Sequence, residues 1–366
     1  MPAMATGNNC YSAEPGINDW YETVKINYCD FHTQTWDKML DIVKYWAAMG
    51  VDGFRCDMVE LVPPEFFKWM IAKAKQKYPS LIFIAEVYKK ELYAQYIRAI
   101  GFDYLYDKSG LYDTLRTVVD KCVNDNGMPV ELWQSTTGIT RNWQFLGDLQ
   151  PYMLNFLENH DEQRFASDFF GGDAHKTFAP LYVSLFLNTA PFMIYFGEET
   201  GERGMDEEGF SGCDGRTTIF DWWSVGSVRR LRKLIASGAY KSTSVSALVK
   251  GGLKKEEAEI FLKFSKAVRF AAEDEAVRMG TTYDLCYCNM SSDGFDKNRH
   301  YAFLRDYEDH TLLIAANFSA HDAVMKLTIP EHAFEWMGIP ITEDMHPGKV
   351  IEVTVPSMDG AVITLI

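Results

Sequence analysis

Two kinds of apolar pattern alternate between residue 35 and about residue 275. In the first kind, apolar residues recur every three or four positions, as they do on one face of a helix, and Gly50 ends the first such segment. These patterns predict helices over Thr35–Met49, Gly110–Val123, Asp173–Leu187, Val228–Ala236 and Lys255–Ala272, and a further helix that Pro63-Pro64 opens, with its inner face running from Phe66 to Ala74.

The second kind is a short, nearly continuous apolar run, which is typical of a strand covered on both faces. Such runs predict strands at Val51–Asp57, Leu81–Val87, Phe102–Tyr106, Tyr152–Leu157 and Phe192–Phe196. Strands that alternate with helices indicate an α/β fold with a parallel sheet, either open or closed into a barrel.

The alternation of helical and strand patterns stops at about residue 280, after which short strands are separated by Gly, Pro, Asp and Asn. The predicted strands are Tyr301–Leu304, Thr311–Ala316, Ala323–Ile329, Val350–Val355 and Ala361–Ile366. No helical period persists there, so we expect a small antiparallel β domain. The resulting domains are residues 1–278 and 279–366.

The net charge and the longest charge-free stretch of the sequence exclude two classes of partner, nucleic acid and a membrane. The net charge of -15 argues against nucleic acid, because phosphate contacts require clustered Lys and Arg. Phe178–Gly197 carries no charge, but Asn188–Pro191 interrupts it, which favours a buried helix and strand over a membrane span.

The first twenty residues lack a basic segment leading into an apolar one, so no signal peptide is expected, and the location stays undetermined. The 7 scattered cysteines indicate reduced, mostly buried thiols rather than a disulfide framework or a zinc cluster.

Three carboxylates end or closely follow predicted strands, namely Asp57, Glu86 and Asp161. In parallel β/α proteins, catalytic groups gather at the carboxyl ends of strands. Each carboxylate alone could cap a loop, but all three together favour a site. Hydrolysis of an acetal needs one carboxylate at the anomeric carbon and another that protonates the leaving oxygen. Arg55 lies two positions before Asp57 on the predicted strand, so the two side chains face the same side, and Arg55 could keep Asp57 ionised. An ordinary buried ion pair would give the same sequence pattern.

The segments Gly53–Asp57, Ile84–Val87 and Phe156–Asp161 resemble three signature blocks of the α-amylase family of glycoside hydrolases, in that family's order. The segment Gly215–Trp223 resembles the loop after the eighth strand in bacterial members, and the C-terminal strands resemble the family's domain C. The resemblance implies a partial (β/α)8 TIM barrel, about strands four to eight, followed by an antiparallel β-sandwich.

The resemblance also implies roles for these residues. Asp57 would be the nucleophile, Glu86 the general acid and then the base, and Asp161 the transition-state stabiliser. The implied substrate-binding residues are Arg55, His160, Tyr88 and Arg216. The implied substrate is an α-glucan or a malto-oligosaccharide, cleaved with retention. Tyr88, Trp143, Trp222 and Trp223 could stack on sugar or simply pack.

The sequence departs from the family at its beginning. The family's first block is absent, and about five strands are found where a complete barrel has eight. We therefore expect an incomplete barrel, with a missing N-terminal segment or fragment as a possible partner. Lys25 stands where calcium-dependent amylases usually have Asp, as in the cyclomaltodextrinase and neopullulanase group. Neither calcium nor another metal or cofactor is expected.

Three functions stay open at this point. The first is hydrolysis of α-glucosidic bonds. The second is glucosyl transfer to an acceptor sugar through the same covalent intermediate. The third is an inactive remnant that acts at most as an interaction module, because five parallel strands cannot close and would leave sheet edges in water.

A first prediction concerns the spacing of the catalytic pair. If Asp57 is the nucleophile and Glu86 the acid, their carboxyl groups should lie about 5–5.5 Å apart, the spacing of retaining glycosidases. A crystal structure measures this directly. A separation near ~9 Å would indicate an inverting pair and contradict the assignment.

Overall fold

The computed structural model describes residues 3–4, 24–26, 28, 34–123, 135–205, 213–220, 223 and 225–366 of the 366-residue chain. The chain divides into two compact units. The first unit comprises residues 1–109 with 152–154, and the second comprises residues 110–151 and 155–366.

The helices of the described residues fall in both units. They are α1 (Gln34–Ala48), α2 (Pro64–Lys77), α3 (Asp113–Val123), α4 (Thr137–Leu146), α5 (Phe178–Phe186), α6 (Gly226–Ala236), α7 (Val245–Lys250), α8 (Lys255–Glu273), α9 (Glu275–Met279), α10 (Cys286–Asn289) and α11 (Glu331–Met337). Short 3₁₀ or π turns connect several of them, including the π turn Lys108–Tyr112 that leads into α3.

One short antiparallel pair, β1 with β2, comes first, parallel pairs follow, and the later strands pair antiparallel. They are β1 (Ala3–Met4), β2 (Val24–Lys25), β3 (Gly53–Cys56), β4 (Ile82–Ala85), β5 (Tyr104–Tyr106), β6 (Met153–Phe156), β7 (Phe192–Met193), β8 (Thr281–Asp284), β9 (His300–Tyr307), β10 (His310–Asn317), β11 (Ala323–Thr328), β12 (Val350–Val355) and β13 (Asp359–Thr364).

In the first unit, β3, β4, β5 and the first half of β6 pair in parallel in that order. The start of β3 approaches β4 very closely, because a Cβ on Gly53 would lie 2.3 Å from the carbonyl oxygen of Ile82. Glycine is therefore required there. Helices α1 and α2 bury Trp36 against Phe66, at 5.6 Å between ring centroids.

In the second unit, the second half of β6 pairs in parallel with β7. The antiparallel strands form a four-stranded sheet in the order β13-β10-β9-β8 and a separate β11-β12 pair. Strands β9 and β10 are buried over nearly their whole length. Helix α5 is also almost entirely buried, and the N–H of Ala179 in it donates to the carbonyl of Met358 just before β13.

The predicted fold class is confirmed: five parallel strands of a partial (β/α)8 barrel precede a small antiparallel β-sandwich. After the parallel strands, antiparallel pairing begins at Thr281, and a short antiparallel pair of β1 with β2 precedes them. The domain boundary between residues 278 and 279 stays a prediction. Asp173 caps its helical segment as expected, because its side chain accepts the N–H of His175 at 2.8 Å.

After residue 280 the structure adds short helices to the predicted strands, where no helical period persists in the sequence. Helices α10 and α11 lie there, and α11 buries Ala333 and Phe334. Both helices span two turns or fewer, which is too short for a period of 3.6 residues to stand out in sequence. Helix α4 and strand β8 were also not predicted, and β7 is shorter than the run Phe192–Phe196.

The charge-free stretch at Phe178–Gly197 contains helix α5 and strand β7, as predicted. Among the described residues, no helix combines the length and the apolar character that crossing a bilayer requires. The described cysteines Cys56, Cys213, Cys286 and Cys288 are free thiols. Cys213 is exposed, contrary to the expectation for most cysteines, whereas burial raises the pKa of Cys56 to about 12. The side chains of Cys10, Cys29 and Cys122 lie outside the described residues.

A second prediction tests the core of the antiparallel part. Leu313 in β10 is fully buried, so Leu313→Ala should lower the free energy of unfolding by about 2–5 kcal/mol through lost burial and a residual cavity. Urea unfolding measures the change. The matched control Val324→Ala, at a half-exposed position in β11, should stay within about 0.5 kcal/mol. Equal losses in both variants would contradict this packing.

Candidate active site

Asp57 and Glu86 directly follow the neighbouring parallel strands β3 and β4. The strands pair with Cys56 opposite Ala85, and the N–H of Glu86 donates to the carbonyl of Cys56 at 3.1 Å. The two carboxylates therefore start from adjacent backbone positions at the carboxyl edge of the sheet. This is the placement that the strand-end argument predicted.

Arg55 connects the two carboxylates. Its Nη1 donates to Oδ1 of Asp57, and its Nη2 lies 2.8 Å from Oε1 of Glu86. The guanidinium also lies over the ring of Tyr106, 5.2 Å from the centroid. Burial lowers the pKa of Arg55, but the charge of Glu86 and the hydrogen bond to Asp57 more than offset this, so its pKa lies above the usual value. Arg55 therefore remains a fixed positive charge between two carboxylates.

The environments of the two carboxylates differ. Glu86 is buried, and it accepts the N–H of Met58 and the hydroxyl of Tyr88, each at 2.7 Å. Met58 has a positive φ of 42°, an uncommon conformation for a side chain of this kind. This turn directs its N–H toward Glu86. The side chain of Asp57, by contrast, is 67% exposed. One carboxylate is thus held in place, and the other is accessible from solvent.

Glu60 holds the loop that carries Tyr88, a role that no sequence pattern indicated. Its Oε1 accepts the N–H groups of both Tyr88 and Lys89, at 2.7 and 2.6 Å. The loop after β4 is therefore fixed by a carboxylate from the loop after β3, which helps to place the Tyr88 hydroxyl on Glu86.

His160 and Asp161 follow β6 and lie in the second unit. His160 Nε2 is 3.2 Å from Oδ2 of Asp161, and both side chains are partly exposed. The side chain of Asn159 accepts the N–H groups of Asp161 and Glu162, each at 2.8 Å. These bonds shape the turn that presents the third candidate carboxylate.

A buried arginine, Arg164, holds three segments of the second unit together. Its guanidinium donates to Glu158 at 2.7 Å, to the carbonyl of Phe196 at 2.7 Å and to Thr217 at 3.1 Å. Its backbone N–H also donates to the carbonyl of Gly215 at 2.6 Å. The loops after β6 and β7 and the segment around Gly215 are thereby fixed to one another.

Arg216 lies in that last segment, between Gly215 and Thr217. Its side chain is partly exposed and pairs with Asp214 at 3.5 Å. Arg164 contacts the residues on both sides, the carbonyl of Gly215 and the hydroxyl of Thr217, so Arg216 is presented from the same group of loops as Asp161.

Glu198 is a buried carboxyl group that was not among the site residues predicted from sequence. It follows β7, so the strand-end rule that selected the other carboxylates could have found it. Its Oε2 accepts the N–H of Tyr195 at 2.9 Å. Burial and the charge of Glu158 raise the pKa of Glu198 well above the usual value. Burial also raises the pKa of Glu158, but Arg164 opposes this directly, so the larger rise falls on Glu198.

The structure thus brings Arg55, Asp57, Glu86 and Tyr88 together in the first unit, whereas His160, Asp161 and Arg216 lie in the second. The approach of Asp161 to the other two carboxylates stays a prediction. Of the tryptophans considered for stacking, Trp143 lies in α4, Trp223 is exposed, and Trp222 lies outside the described residues.

One group of described side chains could share a cation. Asp173, His175 and Glu256 each offer one donor atom within 4.8 Å of the others. The group is largely exposed, and Asp173 already caps a helical turn. Exposed acidic groups of this kind are common without an ion, so the expectation of no metal or cofactor stays a prediction.

The parallel sheet, with polar residues at the carboxyl ends of its strands, places the protein in the class of (β/α)8-barrel proteins. Residues 22–312 match the family model described as alpha amylase, catalytic domain. The chain therefore belongs to the α-amylase family.

Individual relatives are similar to the chain in sequence, and solved structures are similar to it in fold. The chain is 32% identical over 106 residues to the alpha-1,4-glucan:maltose-1-phosphate maltosyltransferase of Rhodospirillum rubrum, which is 29% of this chain and 15% of that relative's length. The α-amylase of H. orenii has a similar fold, with a TM-score of 0.63 and 17% identity over 98% of this chain and 73% of the other. A cyclomaltodextrinase gives the same TM-score and identity, over 98% of this chain and 53% of its own.

A third prediction follows from the raised pKa of Glu198. A glutamate in the unfolded chain titrates near pH 4.3, so above that pH the folded protein binds more protons than the unfolded chain. The contribution of this group to stability is complete below about pH 4 and is lost as the pH rises toward its folded pKa. Glu198→Gln cannot lose a proton, so its free energy of unfolding should fall less than that of the wild type between about pH 5 and pH 8.

Urea unfolding at each pH measures this difference. The matched control Glu335→Gln changes an exposed carboxylate and should follow the wild type. Parallel pH profiles for Glu198→Gln and the wild type would contradict a raised pKa of Glu198.

Proposed function

We propose that this chain is a retaining glycosidase that cleaves α-glucosidic bonds in α-glucans or malto-oligosaccharides. The observation that supports this most strongly is the single guanidinium of Arg55 in contact with both Asp57 and Glu86. Two carboxylates that share one guanidinium lie close together, as the retaining mechanism requires.

In the first proposed step, the Asp57 carboxylate attacks the anomeric carbon, and the bond from that carbon to the glycosidic oxygen breaks. Glu86, entering as the carboxylic acid, gives its proton to the departing oxygen. The products are a β-glucosyl ester on Asp57, a Glu86 carboxylate and a free sugar hydroxyl. In the second step, Glu86 removes a proton from water, the water oxygen bonds to the anomeric carbon, and Asp57 leaves as a carboxylate.

The accessibility of the two groups fits these assignments. A nucleophile must reach the sugar, and the Asp57 side chain is 67% exposed. An acid and base must hold its position through two steps, and Glu86 is fixed by Met58, Tyr88 and Arg55. Arg55 would orient Asp57, and Tyr88 would border the substrate.

His160, Asp161 and Arg216 are proposed to bind sugar hydroxyls, with Asp161 stabilising positive charge in the transition state. Asn159 fixes the turn of Asp161, and Arg164 fixes the backbone around Arg216. Catalysis by charge stabilisation depends on such prearranged groups.

The proposed substrate class rests on family membership and on the related structures. One similar structure is an α-amylase from Geobacillus thermoleovorans complexed with acarbose. A neutral glucan also suits a chain with a net charge of -15, whereas nucleic acid does not.

Transfer is a second candidate function, supported by the maltosyltransferase relatives. It shares the first step and differs in the second, where a sugar hydroxyl replaces water. Product analysis with and without added maltose separates the two: free malto-oligosaccharides of shorter length support hydrolysis, and longer products support transfer.

A fourth prediction tests the proton donor in the full chain. Glu86→Gln should lower the hydrolysis of maltoheptaose by about 10²–10⁴-fold, because the leaving oxygen then departs unprotonated. The rate at which α-maltosyl fluoride glycosylates the Glu86→Gln variant should fall much less than its rate of maltoheptaose hydrolysis, since a fluoride leaving group needs little protonation. The matched control Glu91→Gln, at an exposed position in the same unit, should leave both rates unchanged.

Equal losses on both substrates would show that Glu86 is not the acid. No turnover of either substrate by the wild-type chain, in spite of correct folding, would instead favour the third possibility, a non-catalytic remnant.

A further inference from the structure

A groove of about 560 Å³ lies on the second unit, between helix α8 and the segment that follows helix α6. One wall consists of Tyr240–Thr243, and the other consists of α8 residues between Phe261 and Glu273. The volume lies within the range of about 300–1,000 Å³ that small-molecule sites occupy. The groove contains none of the candidate catalytic or substrate-binding residues, so it is a separate feature of the fold.

Helix α8 presents one of its faces to this groove. The lining positions on that face are three or four residues apart, which makes them neighbours on the helix surface: Leu262, Lys266, Arg269, Phe270 and Glu273. The opposite face of the helix buries Phe264 and Ala267 in the protein interior. The interior packing of α8 therefore leaves its groove face available to a ligand.

The floor of the groove is apolar and partly aromatic. Phe261 and Leu262 pack against the buried cluster that contains Leu234 and Leu248. On the other wall, Tyr240 is 38% exposed. A flat, apolar group in the groove would bury this surface and could stack on the tyrosine ring.

Positive charge lines the groove, although the chain as a whole is acidic. Lys241, Lys266 and Arg269 face one lining carboxylate, that of Glu273, whereas the whole chain has 36 Lys and Arg against 51 Asp and Glu. Lys241 lies over the ring of Tyr240, 5.8 Å from its centroid. Within the described ranges, the side chains of Lys266 and Arg269 form neither a hydrogen bond nor an ion pair. Both cations are thus available to pair with an anion.

Uncommitted cations beside an aromatic and apolar floor suit a nucleotide. Lys and Arg donate charge-assisted hydrogen bonds to phosphate oxygens, and a base stacks on an aromatic ring. The hydroxyls of Ser242 and Thr243 on the opposite wall can bond to those of a ribose. A neutral sugar would leave the cations unused. The net charge of -15 still disfavours a polynucleotide, so the ligand class is a mononucleotide.

We propose that the groove is a binding site for a mononucleotide, with the phosphate on Lys266 and Arg269 and the base on Tyr240. The site is non-catalytic, because it holds none of the carboxylates assigned to the reaction. The proposal does not depend on the proposed glycosidase activity, so each can fail without the other.

Isothermal titration calorimetry of the full chain tests the proposal with four probes: adenosine 5′-monophosphate (AMP), adenosine, inorganic phosphate and glucose 6-phosphate. AMP should bind about tenfold more tightly than each of the others, because it alone offers both a phosphate and a base. Lys266→Gln and Arg269→Gln should each weaken AMP binding about tenfold through the loss of one charge-assisted contact. Tyr240→Ala should weaken it by a similar factor through lost stacking.

The matched control is Lys255→Gln, which removes the same charge from an 81% exposed side chain at the start of the same helix, outside the groove. It should leave the affinity for AMP unchanged. Absence of saturable AMP binding to the folded chain would overturn the proposal. Unchanged affinity in both Lys266→Gln and Arg269→Gln would overturn the assignment to this groove, and equal affinity for glucose 6-phosphate would overturn the assignment to a nucleotide.

Discussion

The contact of Arg55 with both Asp57 and Glu86 is the interaction on which the first half of the candidate site depends. Two carboxylates at adjacent strand ends repel each other unless a positive charge lies between them. Arg55 supplies that charge from the same strand as Asp57, and its own pKa is raised by the carboxylates. The close pairing of β3 with β4, which Gly53 permits, brings the three groups within reach.

The second unit uses a buried arginine for a different purpose. Arg164 contacts a carboxylate, a carbonyl and a hydroxyl from three separate segments, so it fixes loops rather than reacting groups. Removing one partner of such a buried pair leaves an uncompensated charge, which is strongly destabilising. The arrangement therefore ties the shape of the loop after β6 to the folding of the unit. Burial and the charge of Glu158 raise the pKa of Glu198 beside this pair, which favours the neutral form of Glu198.

The strands and the carboxylates at their ends could be predicted from sequence, because apolar runs and chain position suffice to identify them. Asp57 and Glu86 follow β3 and β4 as expected. The contacts that fix the loops could not be predicted, since Glu60 and Arg164 act through partners that lie far along the chain. Short helices such as α11 were missed because two turns do not establish a period.

The most direct test of the central claim is to identify the residue that forms the covalent intermediate. The full chain is incubated with an activated 2-deoxy-2-fluoro-α-glucosyl or maltosyl fluoride and is then digested and analysed by peptide mass spectrometry. With Asp57 as the nucleophile, we predict one glycosyl adduct, on Asp57, that is absent from the Asp57→Asn variant. An adduct on Glu86 or Asp161 in the wild type would contradict it.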